Sequence, residues 1–264
     1  MKTYQGKRIW ITGASAGIGA ALACELSNRG ASLILTSRNR EKLKQVSRRC
    51  GGPVSLLPFD LGDEMTCREA GARAESFYGG VDLFIGNAGV SQRSLFEQTD
   101  YDVIRRIISI NLTANLVLVR SLLPAMKEQK EGGIVLVSSI VGKFGSPLRS
   151  IYSASKHALH GFAESIRGEV CHDNISVSVV VPGYVRTDIS CHALAADGSP
   201  YNRLDPGQQS GIEPEQCAKA IVRGIEKKKH EIYVGMNAKA RAALFVSHFF
   251  PALFNRIVSR ADVT

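Results

Sequence analysis

Short hydrophobic runs alternate with longer segments of helical periodicity along the whole chain. The runs predict seven strands, at residues 8–12, 32–36, 54–59, 81–86, 133–138, 176–181 and 231–234. The longer segments predict helices that include residues 20–29, 40–49, 101–127, 153–170 and 214–228. Strand and helix alternate, and most strands are hydrophobic throughout, so both faces of the sheet must be covered. The pattern therefore predicts an α/β fold, a Rossmann-type doubly wound parallel seven-stranded sheet with helices on both faces.

No linker, repeat or low-complexity block interrupts this alternation, so residues 1–264 are predicted to form a single domain. The segment at about 182–211 differs from the rest because it is rich in helix-breaking and turn residues. These are Pro182, Gly183, Asp197, Gly198, Ser199, Pro200, Asp205, Pro206 and Gly207. Long loops of this kind are usually functional, and we expect this one to border a substrate.

Composition excludes several classes of protein. A chain with 44% hydrophobic and 22% charged residues is neither disordered nor fibrous. Six scattered cysteines without metal-ligand spacing predict no metal site and no disulfide framework, which favours reduced thiols in the cytoplasm. The first residues lack the apolar stretch of a signal peptide, and no uncharged apolar run reaches about 18 residues, so we expect a soluble chain or one peripheral to a membrane.

The net charge of +9 is compatible with nucleic acid, with an anionic membrane or with a phosphorylated ligand. Basic and aromatic residues do not interleave on any predicted strand, as a base-stacking surface would require, so no nucleic-acid partner is expected.

A glycine-rich turn joins the first predicted strand to the first helix. It contains Gly13, Ser15, Ala16, Gly17, Ile18 and Gly19. Glycines allow the backbone to turn tightly and to approach a pyrophosphate, whose charge meets the free N–H groups at the helix N-terminus. The alternative is a helix packed closely on a strand with no ligand. The position of this turn at the head of a βαβ series favours a dinucleotide.

The end of the second predicted strand indicates which dinucleotide is bound. An acidic residue about 20 positions past the turn would hold the ribose hydroxyls of NAD, whereas a basic one would accommodate the 2′-phosphate of NADP. The chain has Ser37 and Arg38 there, and no acid before Glu41. Arg38, with Ser37 and Ser15 as further donors, therefore favours NADP(H). The alternative is that Arg38 is a solvated arginine at the start of a helix.

Candidate chemistry lies near the fifth strand and the helix after it. Tyr152 and Lys156 are four residues apart, so a helix would place both on one face. A neighbouring cation favours the phenolate and would bring the pKa of Tyr152 towards neutral pH, which suits a proton donor and acceptor. Ser139, at the end of its strand, is placed to hydrogen-bond a carbonyl oxygen. Taken singly, the Tyr–Lys pair is also typical of a solvated helix face and the serine of a helix cap.

Together these residues resemble the short-chain dehydrogenase/reductase family, in its ordinary single-domain branch. The resemblance spans nearly the whole chain, and its motifs occur in the family's order. They are Thr12-Gly13-x-x-x-Gly17-x-Gly19, Asn87-Ala88-Gly89 after the fourth strand, Ser139 thirteen residues before Tyr152-x-x-x-Lys156, and Pro182-Gly183 followed by Thr187. Asn111 falls where the family has a fourth catalytic residue, on a locally distorted helix that anchors a water in a proton relay.

The resemblance implies an oxidoreductase acting on carbonyl or secondary alcohol groups, with these roles. Tyr152 is the acid and base, Ser139 orients the carbonyl oxygen, and Asn111 supports the relay. Lys156 lowers the pKa of Tyr152 and holds the nicotinamide ribose. The cofactor supplies the hydride. The remaining cofactor contacts fall on Asp60, Leu61, Asn87, Ala88, Gly89, Pro182, Gly183, Val185 and Thr187. Without the family pattern, Asp60 is equally a helix N-cap and Asn87 and Gly89 are turn residues.

Substrate and assembly are less constrained by the sequence. The candidate pocket residues are mostly apolar and equally compatible with core packing, namely Ile140, Val141, Phe144, Tyr184, His192, Leu194 and Tyr201. They suggest a lipophilic ketone or aldehyde. Family resemblance implies a homo-oligomer, a dimer or tetramer, through the helices at 101–127 and 153–170. A catalytically idle NADP-binding redox sensor or scaffold is the alternative function.

The C-terminal extension, at about 238–264, combines basic residues with phenylalanines. Residues 238–260 contain four Lys or Arg and four of the ten phenylalanines. The segment predicts either a peripheral contact with anionic lipid or packing on the protein itself, and Pro251 would break a long helix there. The stretch at 195–201 and the Lys227-Lys228-Lys229 run are similar to membrane-associated reductases that act on steroid, retinoid or lipid-derived ketones.

Overall fold

The computed structural model describes residues 4–260, and its seven strands form one parallel sheet in the order β3-β2-β1-β4-β5-β6-β7. The strands are β1 Arg8–Thr12, β2 Ser32–Thr36, β3 Val54–Leu56, β4 Leu83–Gly86, β5 Gly132–Val137, β6 Ile175–Pro182 and β7 Glu231–Val234. The predicted fold is confirmed. The strand order reverses direction between β1 and β4, and ligands of open α/β sheets bind at such a point, beyond the carboxyl ends of the strands.

Helices cover both faces of this sheet. The α-helices are α1 Gly17–Asn28, α2 Arg40–Ser47, α3 Glu64–Tyr78, α4 Tyr101–Ile108, α5 Ala114–Gln129, α6 Ser150–Glu169, α7 Pro206–Gln209, α8 Pro214–Glu226, α9 Ala238–Phe249 and α10 Pro251–Val258. Short 3-10 helices occur at Phe96–Gln98 and Ile140–Gly142.

Alternate residues of β1 show how the two halves of the core form. Ile9 and Ile11 join a cluster with α1, α2 and α8, whereas Trp10 points into the opposite cluster with α3, α5 and α6. Successive side chains of a strand face opposite sides of a sheet, so a strand that is apolar throughout needs a helix layer on each side. The Trp10 side chain is fully buried between the sheet and its helix layer. Its indole ring packs on Phe84 with ring centroids 5.4 Å apart, and its N–H donates to Thr36 Oγ1.

Helix α3 was not among the predicted helices. It begins at an N-cap, Asp63, whose carboxylate accepts from the N–H groups of Met65 and Thr66, and it ends at Gly79 in a left-handed conformation with φ 73°. Its buried residues are Cys67, Ala70, Gly71 and Ala74. Such small side chains give a weak hydrophobic periodicity, although the stripe packs closely against α5.

The predicted helix at 101–127 contains a change of helix type. A π-helical turn, Ser109–Thr113, joins α4 to α5, and the whole stretch Tyr101–Gln129 is long and apolar enough to span a membrane by length and composition. In the structure 44% of its apolar stretch is buried, and Leu118 and Leu122 belong to the core cluster on one face of the sheet. This face of the helix therefore packs in the core of the protein.

The segment after β6 returns across the carboxyl edge of the sheet. Its backbone pairs with the segment after β4 through a bridge between Gln92 and Leu194, and with itself through a bridge between Val185 and Ile212, and it contains the one-turn helix α7. The predicted long loop is therefore a structured covering at the edge where ligands bind. The C-terminal extension forms α9 and α10, divided at Pro251, and residues 261–264 of the predicted extension lie outside the described residues.

Candidate active site

The glycine turn is fixed by the loop after β4. Asn87 donates from Nδ2 to the carbonyl oxygens of Thr12 at 3.0 Å and Gly13 at 3.2 Å, and Thr12 Oγ1 accepts from the N–H groups of Asn87 and Ala88. Gly13 has φ +64°, and a Cβ at Gly19 would lie 2.3 Å from the Gly13 carbonyl oxygen. The turn therefore has no room for side chains at Gly13 and Gly19, because it packs closely on itself and on the loop after β4.

The other predicted cofactor residues border this turn. Gly17 lies beside Thr187, since a Cβ on Gly17 would come within 3.0 Å of Thr187 Cγ2. Ser15 and Ala16 line a cavity of about 280 Å³ together with two basic side chains, Lys42 and Arg49. The contact between Gly17 and Thr187 places the glycine turn next to the loop after β6. Ile18 is half-buried and packs on the core, Val185 is buried, and Pro182 and Gly183 end β6 beside β7.

Ser37 and Arg38 follow β2 at the same edge. Arg38 is exposed, Ser37 is half-buried, and Asn39 caps α2 by accepting from the Lys42 N–H. Helix α2 therefore starts after Arg38, whose side chain is free to reach an anion beyond β2. The exposed position of Arg38 is compatible with both predictions, a contact with the 2′-phosphate of NADP and a solvated arginine at the start of a helix.

Asp60 does not cap a helix, because Asp63 is the N-cap of α3. Arg106 Nη2 instead donates to both carboxylate oxygens of Asp60, at 3.0 and 2.7 Å. Although burial acts to raise it, the Arg106 and Gly62 hydrogen bonds hold the pKa of Asp60 below its ordinary value. The neighbouring Leu61 is buried in the core. Asp60 is thus a fixed anion at the ligand-binding edge.

Tyr152 and Lys156 lie on one face of α6, as their spacing predicts. The Lys156 ammonium is 5.8 Å from the centre of the Tyr152 ring and donates from Nζ to the Val137 carbonyl oxygen at 2.8 Å. Only 3% of Lys156 is exposed, and burial lowers its pKa to about 8. A buried lysine of this kind holds its proton less firmly than a solvated one.

The pKa of Tyr152 is shifted in the direction opposite to the prediction. Burial of the phenol raises it, and the opposing influences are a side-chain hydrogen bond with Ser139 and the charges of Arg149 and Arg93. Lys156 is not among those influences in this structure. Ser139 also accepts from the Val141 N–H at 3.4 Å, so it caps the short 3-10 helix, as the helix-cap alternative predicts. Its role towards a carbonyl oxygen stays a prediction.

Asn111 lies in the π-helical turn, as the resemblance implied. Its side chain is fully buried and bonds in three directions, accepting from the Val90 N–H at 2.8 Å and donating at 3.0 Å to the Val90 carbonyl oxygen and to Ser155 Oγ. Its own carbonyl oxygen accepts from Asn115 Nδ2 at 2.9 Å. Gly89 lies against this group, since a Cβ there would be 3.3 Å from Asn111 Oδ1 and 3.2 Å from Lys156 Nζ.

Gln92 was not found by the sequence analysis. It is fully buried, and its Oε1 accepts from the N–H groups of Ile151 at 2.9 Å and Tyr152 at 3.4 Å. Arg149, the N-cap residue of α6, makes no side-chain cap, so Gln92 supplies the missing acceptor at the first turn of the helix. Its position three residues past Gly89 was the only signal in the sequence.

A second buried network lies behind Lys156. His160 Nε2 and Ser138 Oγ are 3.0 Å apart, His160 Nδ1 and Glu231 Oε1 are also 3.0 Å apart, and Ser138 Oγ bonds to the Lys156 carbonyl oxygen at 2.9 Å. Burial lowers the pKa of His160, and the Lys143 charge acts in the same direction against the attraction of Glu231. Only 3% of Ser138 is exposed, so this group supports α6 from within the protein.

Two arginines share one carboxylate near the start of α6. Arg93 and Arg149 both bond to Asp205 Oδ2, the latter at 2.8 Å. Asp205 belongs to the loop after β6, and the Arg93 guanidinium also stacks on Tyr201, 5.9 Å from the ring centre. The pairing joins three segments that lie far apart along the chain.

The candidate pocket residues do not form one wall. Phe144 packs on Phe254 with ring centroids 5.0 Å apart, Val141 is buried, and Ile140 is half-buried. Tyr184 instead lines a cavity of about 720 Å³ that also contacts Ile212, Met236 and Leu244 of the chain's last third. Of the remaining candidates, Leu194 pairs with Gln92, His192 is exposed, and Tyr201 contacts the arginines.

Comparison with known proteins agrees with the geometry. A family model described as short chain dehydrogenase matches residues 7–197. The chain is 37% identical over 256 residues to dehydrogenase/reductase SDR family member 7B of Mus musculus, covering 94% of this chain and 79% of that protein.

Solved structures show the same likeness. A short-chain dehydrogenase from Sphingobium yanoikuyae in complex with NADPH is 25% identical, with a TM-score of 0.79, over 97% of this chain and 96% of that one. A short chain dehydrogenase/reductase from Burkholderia phymatum in complex with NAD shares the fold at 22% identity, with a TM-score of 0.84 over 96% of each chain.

Proposed function

The chain belongs to the short-chain dehydrogenase family, and we propose that it is an NADP(H)-dependent oxidoreductase that transfers a hydride between the nicotinamide and a carbonyl or secondary alcohol. We further propose that its substrates are lipophilic ketones or aldehydes. The observation that carries the proposal is the assembly of Ser139, Tyr152 and Lys156 at the carboxyl end of β5, beside a glycine turn that excludes side chains.

The residues present fit a nicotinamide dinucleotide. The closely packed Gly13 and Gly19 leave backbone N–H groups of α1 for the pyrophosphate, and Asp60 and Asn87 border the adenosine side. Arg38 is exposed beyond β2, and Lys42 and Arg49 line the cavity next to Ser15. Glu215 lines the same cavity, so the argument for NADP(H) over NAD(H) rests on Arg38, with no acid between the end of β2 and Glu41. Relatives of known structure include complexes with NADPH and with NAD.

The cofactor, when bound, supplies or accepts the hydride. Tyr152 then donates its phenolic proton to the carbonyl oxygen during reduction, and Ser139 donates a hydrogen bond to the same oxygen. The phenolate left on Tyr152 is stabilised by the charges of Arg149 and Arg93 and by the Ser139 hydroxyl. Lys156, whose pKa of about 8 makes its proton available near neutral pH, restores the proton through the relay that Asn111 anchors.

The substrate class is supported by a largely apolar cavity next to the loop after β6. The cavity of about 720 Å³ beside Tyr184 is bordered by Ile212, Val234, Met236 and Leu244. Its size lies within the range of pockets for small organic ligands, about 300–1,000 Å³. A ketone or aldehyde with an apolar tail fits such a lining.

We also propose a homo-oligomer and a cytoplasmic location with peripheral membrane contact. Helices α9 and α10 expose Phe245, Phe249, Phe250, Leu253 and Ile257, each by more than half of its surface. Basic residues of the same two helices, such as Arg241 and Arg256, complement anionic lipid headgroups. Aromatic side chains on a basic segment favour the membrane interface over water.

A cofactor titration followed by an activity assay on the same sample tests the function. NADPH and NADH are titrated by fluorescence, and absorbance at the nicotinamide band is then followed with a panel of lipophilic ketones and aldehydes. Tighter binding of NADPH and turnover of a carbonyl are expected. NADPH binding without turnover across the panel would favour the redox-sensor or scaffold alternative, and no binding of either nucleotide would contradict the cofactor site.

A further inference from the structure

Arg93 and Arg149 form a nearly buried pair of cations beside the catalytic tyrosine. Side-chain exposure is 6% for Arg93 and 28% for Arg149, and within residues 4–260 Asp205 is the only carboxylate within salt-bridge distance of either. Two guanidinium groups therefore share one carboxylate oxygen. Arg93 Nη1 also donates to the Gln92 carbonyl oxygen at 2.7 Å, which satisfies a donor but adds no negative charge. Two cations against one carboxylate leave an excess of positive charge, which attracts a further anion.

The position of the pair relates it to the reacting group. Arg149 is three residues before Tyr152 on α6, and Arg93 follows the Asn87-Ala88-Gly89 segment whose Gly89 lies against Lys156. Gln92, the residue before Arg93, accepts from the Tyr152 N–H at 3.4 Å, so both arginines adjoin the first turn of α6 that carries Tyr152. A substrate whose carbonyl oxygen meets Tyr152 and Ser139 therefore passes close to both guanidinium groups.

The carboxylate that bonds to both arginines, Asp205, belongs to the loop after β6. Asp205 lies one residue before the one-turn helix α7, and its own N–H donates to Ser190 Oγ of the same loop. A third arginine of the loop, Arg203, stacks on Tyr201 at 5.8 Å, on the ring that Arg93 also contacts. The Asp205 carboxylate thus comes from a surface loop and bonds to two cations next to the proposed acid. An anionic group of a ligand could make the same bonds.

We propose that Arg93 and Arg149 are a specificity-determining anion subsite, and that the enzyme prefers carbonyl substrates bearing a carboxylate or phosphate group. The inference rests on the proposed function, since it concerns the same pocket. The substrate anion displaces Asp205 and takes over its bonds to the arginine pair. The apolar cavity beside Tyr184 receives the rest of the molecule.

Binding without turnover gives the first test. Decanoate, decyl phosphate and the uncharged decanamide are titrated into the NADPH-loaded protein by calorimetry. A charge-assisted hydrogen bond to a guanidinium group is worth roughly tenfold in affinity, so at least one anion should bind about tenfold more tightly than the amide. The stronger of the two anions identifies the headgroup. No preference for either anion would overturn the inference.

Variants separate an anion subsite from a loop anchor. Arg93→Gln and Arg149→Gln should each reduce the anion preference about tenfold, whereas Asp205→Asn should increase anion affinity severalfold because the internal competitor is lost. If the pair only anchors the loop, all three variants will weaken charged and uncharged ligands alike, and the inference is wrong. Arg149→Lys keeps the positive charge and should preserve part of the anion preference. This variant replaces Arg149→Gln if the glutamine variant does not fold.

Asp173→Asn is the matched control. Asp173 also lies between two cations, Lys127 and Lys130, but it precedes β6 at the opposite edge of the sheet. Its replacement should leave the anion preference unchanged.

Turnover distinguishes a failure of this inference from a failure of the proposed function. The acids 2-, 4- and 6-oxodecanoate are compared with their methyl esters in NADPH oxidation. A higher kcat/KM for one acid supports the subsite and shows its distance from the carbonyl. Turnover of the esters with no advantage for any acid contradicts the subsite alone. If neither acids nor esters react, the proposed function fails, and the calorimetry still decides the subsite.

Discussion

The Lys156 ammonium bonds to the Val137 carbonyl oxygen at 2.8 Å, which fixes the catalytic face of α6 against the carboxyl end of β5. Because Ser139 follows Val137 by two residues and Tyr152 lies one helical turn before Lys156, this bond sets the spacing between the serine and the tyrosine. The roles proposed for these two residues can be tested one residue at a time.

Replacement of Tyr152 by phenylalanine removes the proton donor and retains the ring. We expect turnover to fall by about 100- to 10,000-fold while NADPH affinity changes little, because general acid catalysis contributes on that scale. The measurement is steady-state NADPH oxidation together with fluorescence titration. Tyr101→Phe, at an exposed tyrosine of α4, is the control and should retain activity. Wild-type turnover by Tyr152→Phe would disprove the assignment of the acid.

Replacement of Arg38 by aspartate reverses the charge that faces the proposed 2′-phosphate. NADPH affinity should fall by at least about tenfold, and NADH affinity should change much less or increase, because a carboxylate suits free ribose hydroxyls. Paired titrations of both nucleotides measure the ratio. Arg68→Asp, at an exposed arginine of α3, controls for the change in net charge. Equal losses for the two nucleotides would rule out the phosphate contact.

Replacement of Gly19 by alanine inserts a methyl group into the glycine turn. Its Cβ would lie 2.3 Å from the Gly13 carbonyl oxygen and 2.5 Å from Asn87 Nδ2, so the backbone must shift. We expect a lower melting temperature and a cofactor affinity reduced by at least about tenfold, since pyrophosphate binding depends on that backbone.

The matched control for this change is Gly168→Ala in α6. Nothing lies within 4 Å of a Cβ there, and alanine is the better helix former by about 0.5–1 kcal/mol, so this variant should be slightly more stable. Thermal unfolding with and without NADPH measures both effects. Normal cofactor affinity in Gly19→Ala would show that the turn tolerates a wider backbone path.

Acid should destabilise the folded protein through His160. Burial lowers its pKa in the folded state below the ordinary 6.5, so the unfolded chain takes up the proton first as the pH falls. The neutral imidazole therefore contributes fully to the free energy of unfolding above about pH 6.5. This contribution is lost progressively as the pH falls from about 6.5 to the pKa of His160 in the folded state. His160→Gln removes this dependence.

Urea unfolding at pH 7 and pH 5 measures it. The free energy of unfolding should fall more between these pH values in the wild type than in His160→Gln, while carboxylates other than Glu231, which contacts His160, contribute equally to both proteins. His172→Gln, at an exposed histidine, should behave as the wild type does. Equal losses in all three proteins would show that His160 does not titrate in this range.

The C-terminal helices should carry membrane binding if the membrane proposal is right. The double change Phe249→Ser and Leu253→Ser removes two exposed apolar side chains, and cosedimentation with phosphatidylserine-containing vesicles should fall several-fold. Phe96→Ser, at a phenylalanine 61% exposed in another segment, is the control. Wild-type binding by the double variant would favour a contact with protein in place of lipid.

Local signals predicted the fold and the main motifs well. The bounds of β1, β2 and β7 are as predicted. A hydrophobic run that ends at a turn is visible in the local sequence, so such strands can be recognised without knowledge of the tertiary structure. The strand β3 ends at Leu56, three residues before its predicted end, and α3 escaped prediction because its packing face consists of small side chains. Hydrophobicity alone does not show where ladder hydrogen bonds stop or which alanines are buried.

Long-range pairings in the site could not be predicted. Arg149 and Arg93 reach Asp205 from positions 56 and 112 residues away in the chain, and nothing in the local pattern relates them. The direction of the Tyr152 pKa was predicted wrongly for the same reason. The motif indicates the neighbouring lysine, but the degree of burial and the two arginines belong to the tertiary structure.

The π-helical turn at Ser109–Thr113 has a consequence for the longest helix of the chain. Before it, Val103 and Ile107 are buried, and after it Leu118, Leu122 and Met126 continue at four-residue intervals. One additional residue in a turn rotates everything that follows by roughly 100° about the helix axis. The buried faces of α4 and α5 therefore point in different directions: α4 packs on α6, whereas α5 packs on α3 and β5. An α-helix of the same sequence without the π-turn would direct both faces the same way and could not cover these neighbours together.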